Sequence, residues 1–404
     1  MLSYDIETLS VPYGKSVHGE AEIEAVVRVL KNSTQMGDSV RQFEHQVAQL
    51  FSKPYGIMVN SGSSANYLAI ELLKLPAGSE VITPVLTFST TVAPLVRNSL
   101  VPVFIDVSEG TYNINADLIE RAITERTKAM MIPNLIGNLP DWKKIRAIAD
   151  RYQLMVIEDS ADTLGATFLN ESTGIYSDIS TTSFYGSHVI NCAGNGGMLC
   201  VKEKVLADRA KLLRSWGRDS SLFVESEKIE NRFNVKVDGI PYDAKFVFSE
   251  LGYNFEPSEL GAAFGLVQLN MLLQNIQIRR ENFKSHRDFF SQYEEFFILP
   301  QELTSIDTGW LAFPLTIKES APFTRTELQI YFEKHRIQTR TVFTGNILRQ
   351  PAMKGIKCVG HKECYPYTDQ VMRGGMLIGC HQGLKSQHIE YIHFIFKEFL
   401  KGKQ

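Results

Sequence analysis

The 404 residues are 44% apolar and 22% charged, the proportions of a globular chain with a large buried core, which excludes a mainly disordered one. A net charge of −3 with no Lys/Arg cluster offers no field for nucleic acid, so a small-molecule partner is the better expectation. No run reaches the roughly 18 apolar residues of a membrane span and no basic-then-apolar leader opens the chain, so no membrane partner and a cytoplasmic location are expected.

Apolar runs suited to buried strands recur as Gly56-Ile57-Met58-Val59, Val81-Ile82, Val101 to Ile105, Ala129 to Ile132 and Leu154 to Ile157. Helical patterns lie between them at Ala65 to Leu73, Ala116 to Thr124 and Trp142 to Tyr152. Strand, helix, strand is the repeating unit, which predicts an α/β fold with a mainly parallel sheet sandwiched by helices. Past residue 250 the rhythm changes to one long helical stretch from Ser258 to about Tyr293, then shorter strands and a terminal helix ending near Leu400. This predicts a large domain over 1–250 and a smaller C-terminal α+β domain over 251–404. Five cysteines, an odd number with no Cys-x-x-Cys pair, predict reduced thiols and no metal site.

In parallel sheets ligands bind beyond the carboxyl ends of the strands, and three such positions carry chemistry. Asn60-Ser61-Gly62-Ser63-Ser64-Ala65-Asn66 is a small polar turn opening a helix, able to hold a phosphate and equally able to be an ordinary N-cap. Ile157-Glu158-Asp159-Ser160-Ala161-Asp162 places carboxylates after an apolar strand, where they face a cationic partner such as a pyridinium nitrogen or cap the next helix. Ser183-Phe184-Tyr185-Gly186-Ser187-His188 ends another β-rich run ahead of the turn Ala193-Gly194-Asn195-Gly196-Gly197. A lone histidine there is more often structural than functional.

In this order and spacing, and with Gly37 to Glu44, Thr83-Pro84-Val85-Leu86-Thr87-Phe88 and Gly252-Tyr253-Asn254-Phe255, these segments resemble the DegT/DnrJ/EryC1/StrS family of sugar aminotransferases over nearly the whole chain. The resemblance implies the fold-type-I architecture of pyridoxal-phosphate enzymes. It also implies that Ser63, Ser64 and Ser183 bind the cofactor phosphate, that Phe88 stacks on the ring and that Asp159 pairs with the pyridine nitrogen. Asp162 would lie near the ring hydroxyl. Asn254 would reach the phosphate from a neighbouring subunit, which implies a homodimer with shared active sites.

His188 departs from the family pattern, because the aminotransferases carry the cofactor-binding lysine there. An imidazole forms no stable imine, so the cofactor, as pyridoxal 5'-phosphate or pyridoxamine 5'-phosphate, would be held noncovalently. The replacement resembles the 3-dehydratase branch, which deoxygenates nucleotide-linked 4-keto-6-deoxy sugars. There the amine form condenses with the C4 ketone, and removal of a proton expels the C3 hydroxyl. A base of near-neutral pKa suits that task. Gly137 to Asp141, Ser215 to Asp219 and Thr344 to Pro351 match the same branch, and Arg349 is expected near substrate or in an ion pair. Ala161, Ser220 and Leu222 replace the cysteines of iron–sulfur members, so no cluster is expected. The remaining resemblance is to the cluster-free type, which takes its amino group from glutamate and serves deoxysugar and O-antigen synthesis. Asn195, Val189 and Phe88 differ from those dehydratases, leaving the sugar and its nucleotide open. The competing readings are an aminotransferase using another lysine and a catalytically silent binder of cofactor or sugar nucleotide.

Overall fold

A computed structural model describes residues 9–223, 225 and 227–403. Helices α1 (Glu20–Asn32) and α2 (Asp38–Leu50) precede an alternating run. It comprises β1 (Tyr55–Val59), α3 (Gly62–Leu72), β2 (Glu80–Pro84), α4 (Ser89–Arg97), β3 (Val101–Ile105), β4 (Thr127–Pro133), α5 (Trp142–Tyr152) and β5 (Met155–Asp159). Two short strands, β6 (Thr167–Phe168) and β7 (Glu171–Ser172), lead to β8 (Ile179–Ser183), β9 (Gly197–Val201) and α6 (Lys204–Arg214). A single turn, α7 (Ile229–Arg232), and the hairpin of β10 (Val235–Val237) and β11 (Ile240–Tyr242) follow. The C-terminal part contains α8 (Glu259–Asn270), α9 (Leu272–Phe290), β12 (Phe297–Ile298), β13 (Ile306–Asp307), β14 (Ala312–Ile317) and α10 (Arg325–Lys334). It ends with β15 (Thr339–Thr341), α11 (Pro366–Gly374), β16 (Gly375–Gly379) and α12 (Ser386–Lys401).

The main sheet has the order β1-β9-β8-β5-β4-β2-β3. Strands β2, β3, β4, β5 and β8 run parallel, while β9 is antiparallel to both of its neighbours, β1 and β8. Ile57, Val81, Met131 and Ile157 fill one face of this sheet and Ile82, Val103, Met130 and Val156 the other, which is why the strands read as continuous apolar runs. A second sheet, β12-β14-β16-β15, packs against α9 and α12 through an aromatic cluster in which Phe283 stacks on Trp310 at 4.3 Å.

Two expected helices are corrected. Residues 116–124 form two short 3₁₀ turns, Ala116–Leu118 and Glu120–Ala122, because the Asn115 and Thr124 side chains bond the local backbone and compete with a continuous helix. The single long helix after Ser258 is two helices that meet at Met271. The break lets each helix face a different partner. Gly265 of α8 lies against Phe43 and Cys192, whereas α9 turns Phe283 and His286 toward the second sheet.

Candidate active site

A cavity of about 410 Å³ opens at the carboxyl ends of β1, β5 and β8. At one end is the start of α3. Ser61 is its N-cap, accepting a hydrogen bond from the Ser64 backbone N–H at 3.1 Å, and the free amides of the first turn face the cavity as an anion site. The helix start is pressed tightly against its neighbours. A Cβ on Gly62 would come within 2.6 Å of the Ser183 Cβ, and one on Gly197 within 2.2 Å of the Ser61 carbonyl oxygen. Ser63 and Ser183 line the cavity. Ser64 does not; its hydroxyl donates to Asn60 Oδ1 at 2.6 Å and borders an adjoining depression.

Asp159 ends β5 and is only 7% exposed. Its Oδ2 accepts from Asn66 Nδ2 at 2.8 Å and Thr91 Oγ1 at 3.0 Å, and its Oδ1 accepts from the Ala161 backbone N–H at 3.2 Å. Burial pushes the carboxyl upward, so a cation arriving in the cavity would relieve the desolvation cost. Glu158 points to the opposite side of the strand, where Asn134, Ser160 and Ser180 donate to it, which gives it a structural role. Phe88 stands half exposed at the cavity, with the Phe343 ring edge-on at 6.0 Å. Phe343 has a positive φ of 42° and is held over the cavity because the Thr344 hydroxyl donates to the Thr87 carbonyl at 2.6 Å.

His188 lies between these groups, its side chain 13% exposed. Its Nδ1 is 3.0 Å from the Ser183 carbonyl oxygen. A carbonyl only accepts, so Nδ1 carries the proton and Nε2 presents a bare lone pair. Asp162 Oδ1 is 3.8 Å from Nε2, while Asp162 Oδ2 accepts from the Ile136 backbone N–H at 2.9 Å. Burial, with Arg279 adding to it, lowers the imidazole pKa to about 4, and burial raises the Asp162 carboxyl to about 7. Between about pH 4 and 7 the two are therefore uncharged neighbours rather than an ion pair. The imidazole is held further from its charged form than a base of near-neutral pKa would be.

No lysine is among the cavity-lining residues described. Since β9 runs back across the sheet and Val201 pairs with Tyr55, Lys202 and Lys204 follow its far end, away from His188. Buried Lys53 precedes β1 at that far end and donates to the Gly174 and Ser177 carbonyls at 2.6 and 2.9 Å.

Arg349 and Asn254 are not brought to this cavity. Arg349 makes a two-point contact with Asp369, at 2.9 and 2.6 Å. Asn254 is exposed beside Ser215, its Oδ1 accepting from the Glu256 backbone N–H at 3.4 Å. Two lining residues gave no signal in the sequence: Phe343 comes from the C-terminal part, and Tyr13 is delivered by an N-terminal strap. Asn66, inside the polar turn read from the sequence, carries a role not assigned there, since it bonds both Asp159 and Thr181. In that strap Val11 bridges Ile337 and the Pro12 carbonyl accepts from His381 Nε2 at 3.1 Å.

The cavity therefore joins a helix start suited to an anion, an exposed aromatic ring, a buried carboxylate and an unprotonated imidazole nitrogen. This donor set fits a phosphorylated pyridine ring. Comparison with known proteins agrees. The model of the DegT/DnrJ/EryC1/StrS aminotransferase family matches residues 17–396. The lipopolysaccharide biosynthesis protein RfbH of Salmonella typhimurium is 36% identical over 97% of this chain and 92% of its own length. GDP-4-keto-6-deoxy-D-mannose 3-dehydratase of Yersinia pseudotuberculosis is 32% identical over 96% and 99%. A crystal structure of GDP-4-keto-6-deoxymannose-3-dehydratase with a trapped PLP–glutamate geminal diamine superposes with a TM-score of 0.86, at 28% identity over 95% of this chain and 99% of that one. On sequence and fold, this chain belongs to the DegT/DnrJ/EryC1/StrS aminotransferase family.

Proposed function

We propose that this protein is a pyridoxal/pyridoxamine phosphate-dependent 3-dehydratase of a nucleotide-linked 4-keto-6-deoxy sugar, working in deoxysugar and O-antigen synthesis with glutamate as amino donor. The observation that carries the reading is the bare Nε2 of His188 in a cavity whose described lining lacks lysine.

In this reading the first turn of α3, with Ser63 and Ser183, holds the phosphate, while Ser64, turned to Asn60, supports that turn from behind; Phe88 covers the ring and Asp159 meets the pyridine nitrogen. Asp162 sits near the ring hydroxyl. Once bound, the cofactor supplies an amino group to join the sugar ketone and an aromatic system that withdraws electrons. His188 supplies the proton movement: Nε2 accepts a proton, and the imidazolium so formed can return it to the departing C3 hydroxyl as water leaves. Nδ1 stays bonded to Ser183 throughout, fixing the ring plane. The buried walls keep solvent from competing for Nε2.

We further propose a homodimer in which Asn254 serves the partner's phosphate site. The exposed apolar side chains of Phe233, Phe246, Phe248 and Leu251, close to Asn254 in sequence, support an interface on this segment. Arg349, joined to Asp369, would brace the Thr344 to Pro351 segment rather than touch the sugar. A division near residue 250 into a cofactor domain and a smaller domain accords with the separation of the main sheet from β12-β14-β16-β15, with β13 pairing to β6 across the division. Five free cysteines accord with a cytoplasmic site, and among the described residues no helix is long and apolar enough to cross a membrane.

The test is incubation with pyridoxal phosphate, glutamate and GDP-, CDP- and dTDP-linked 4-keto-6-deoxy sugars, with mass analysis of the products. Loss of one hydroxyl oxygen from one of them is expected. Accumulation of an aminated sugar with every oxygen retained would show an aminotransferase instead, and no turnover of any sugar would favour a silent binder.

A further inference from the structure

The turn that carries His188 is gripped on both sides from the C-terminal part of the chain. On one side the Ser187 carbonyl accepts from Arg279 Nη2 at 3.1 Å. On the other, the Val189 carbonyl accepts from Asn275 Nδ2 at 2.9 Å and Gln382 Nε2 at 3.2 Å. Asn275 and Arg279 are four residues apart on α9 and so share one face of it. Arg279 Nε donates to Gln382 Oε1 at 2.7 Å, and its Nη1 donates to the Trp310 and Leu311 carbonyls, both at 3.1 Å.

Arg279 is fully buried, and no carboxylate among the described residues lies within ion-pair distance of it. A buried cation without a counter-ion is costly, and carbonyl dipoles offset only part of that cost. Its field reaches the cavity.

We infer that Arg279 is a positioning residue for the proposed proton transfer, fixing the peptide ahead of His188 while Asn275 and Gln382 fix the Val189 carbonyl behind it, and presenting to the imidazole a positive charge that no carboxylate among the described residues pairs at contact distance. Arg279 adds to the effect of burial in keeping His188 unprotonated. Asp162 at 3.8 Å, Asp159 and Tyr13 in the cavity wall and the Tyr185 ring at 6.2 Å also face the imidazole. Arg340 lies over the Tyr13 ring at 5.3 Å.

The test uses the cofactor-loaded protein and the variants Arg279→Met, Arg279→Lys and Asn275→Leu. Two readouts are compared across pH: the titration of His188 by NMR of protein labelled with ¹⁵N-histidine, and the glutamate-driven conversion of pyridoxal phosphate to pyridoxamine phosphate, followed by absorbance without any sugar. Removing the cation makes the imidazole easier to protonate. Arg279→Met should therefore move both the His188 titration and the ascending limb of the rate to higher pH. Arg279→Lys keeps the charge and should leave the limb in place with a lower maximal rate. Asn275→Leu should lower the maximal rate by up to about a hundred-fold without moving the limb. A His188 titration and rate unchanged in Arg279→Met would overturn the inference. If that variant does not fold, Arg279→Gln must show the same shift, and its absence counts equally against the idea. The rate rests on the proposed cofactor chemistry but the NMR titration does not, so a shifted titration in a protein that dehydrates no sugar would sink the proposed function alone.

Discussion

An imidazole whose Nδ1–H is committed to a backbone carbonyl has a single lone pair to offer, and in His188 that pair faces the cavity. Asparagine has a similar size but no basic nitrogen. His188→Asn should bind pyridoxal phosphate as the parent does and lose dehydration by about 10²–10⁴-fold, measured by product formation under saturating substrate. Parent-like turnover in that variant would remove His188 from the role of base. Lysine at the same position restores a primary amine where relatives carry one. His188→Lys should develop the absorbance of a protonated imine, and borohydride should fix pyridoxyl to it but leave none on the unmodified protein. A pyridoxyl-lysine recovered from the unmodified protein would contradict the noncovalent reading.

At the scale of elements, the site depends on how closely the start of α3 meets the end of β8. A Cβ at position 62 would meet the Ser183 Cβ at 2.6 Å, and both atoms belong to backbone-anchored groups with little freedom to yield. Gly62→Ala should cost about 1–3 kcal/mol of stability and weaken cofactor binding; chemical denaturation and fluorescence titration would measure the two effects. Unchanged affinity would mean that the helix start does not hold the phosphate. The first five strands of the main sheet were legible because runs such as Ala129 to Ile132 and Leu154 to Ile157 are buried on both faces, whereas α4, between β2 and β3, was not read. The 3₁₀ turns at 116–122 were not, since apolar spacing there matches a helix and only side-chain bonds to the backbone decide against it. Motifs were legible singly but not as partners. Ser215-Trp216-Gly217 and Gly252-Tyr253-Asn254, far apart in sequence, pack as one unit in which a Cβ on Gly217 would strike the Glu250 carbonyl oxygen. Asp159 and His188 were found because each follows a strand, whereas Tyr13 and Phe343 reach the cavity only through tertiary packing, which leaves no local signature.

For the whole molecule, buried histidines set the response to acid. Burial lowers His188, His286 and His381 to about 4 and His393 to about 2, while the unfolded chain takes up these protons near 6.5. The folded state binds fewer protons in that interval, so the contribution of these groups is complete above about pH 6.5 and is lost as pH falls toward 4. Each such imidazole contributes on the order of 1–3 kcal/mol. Asp159 and Asp162, both raised by burial, act in the opposite sense, and two carboxyls offset only part of four imidazoles. Calorimetry of the apoprotein should show the melting temperature falling between pH 6.5 and 5; a flat profile would mean that these rings are protonated in the folded state. The walls of the chamber are contributed by residues as distant as Tyr13 and Phe343, with the strap before Tyr13 anchored by Ile337 and His381. A nascent polypeptide emerging from the ribosome thus has no complete chamber until nearly all of its length has been released, and fragments ending upstream of that anchorage would be left with an open, unwalled shelf.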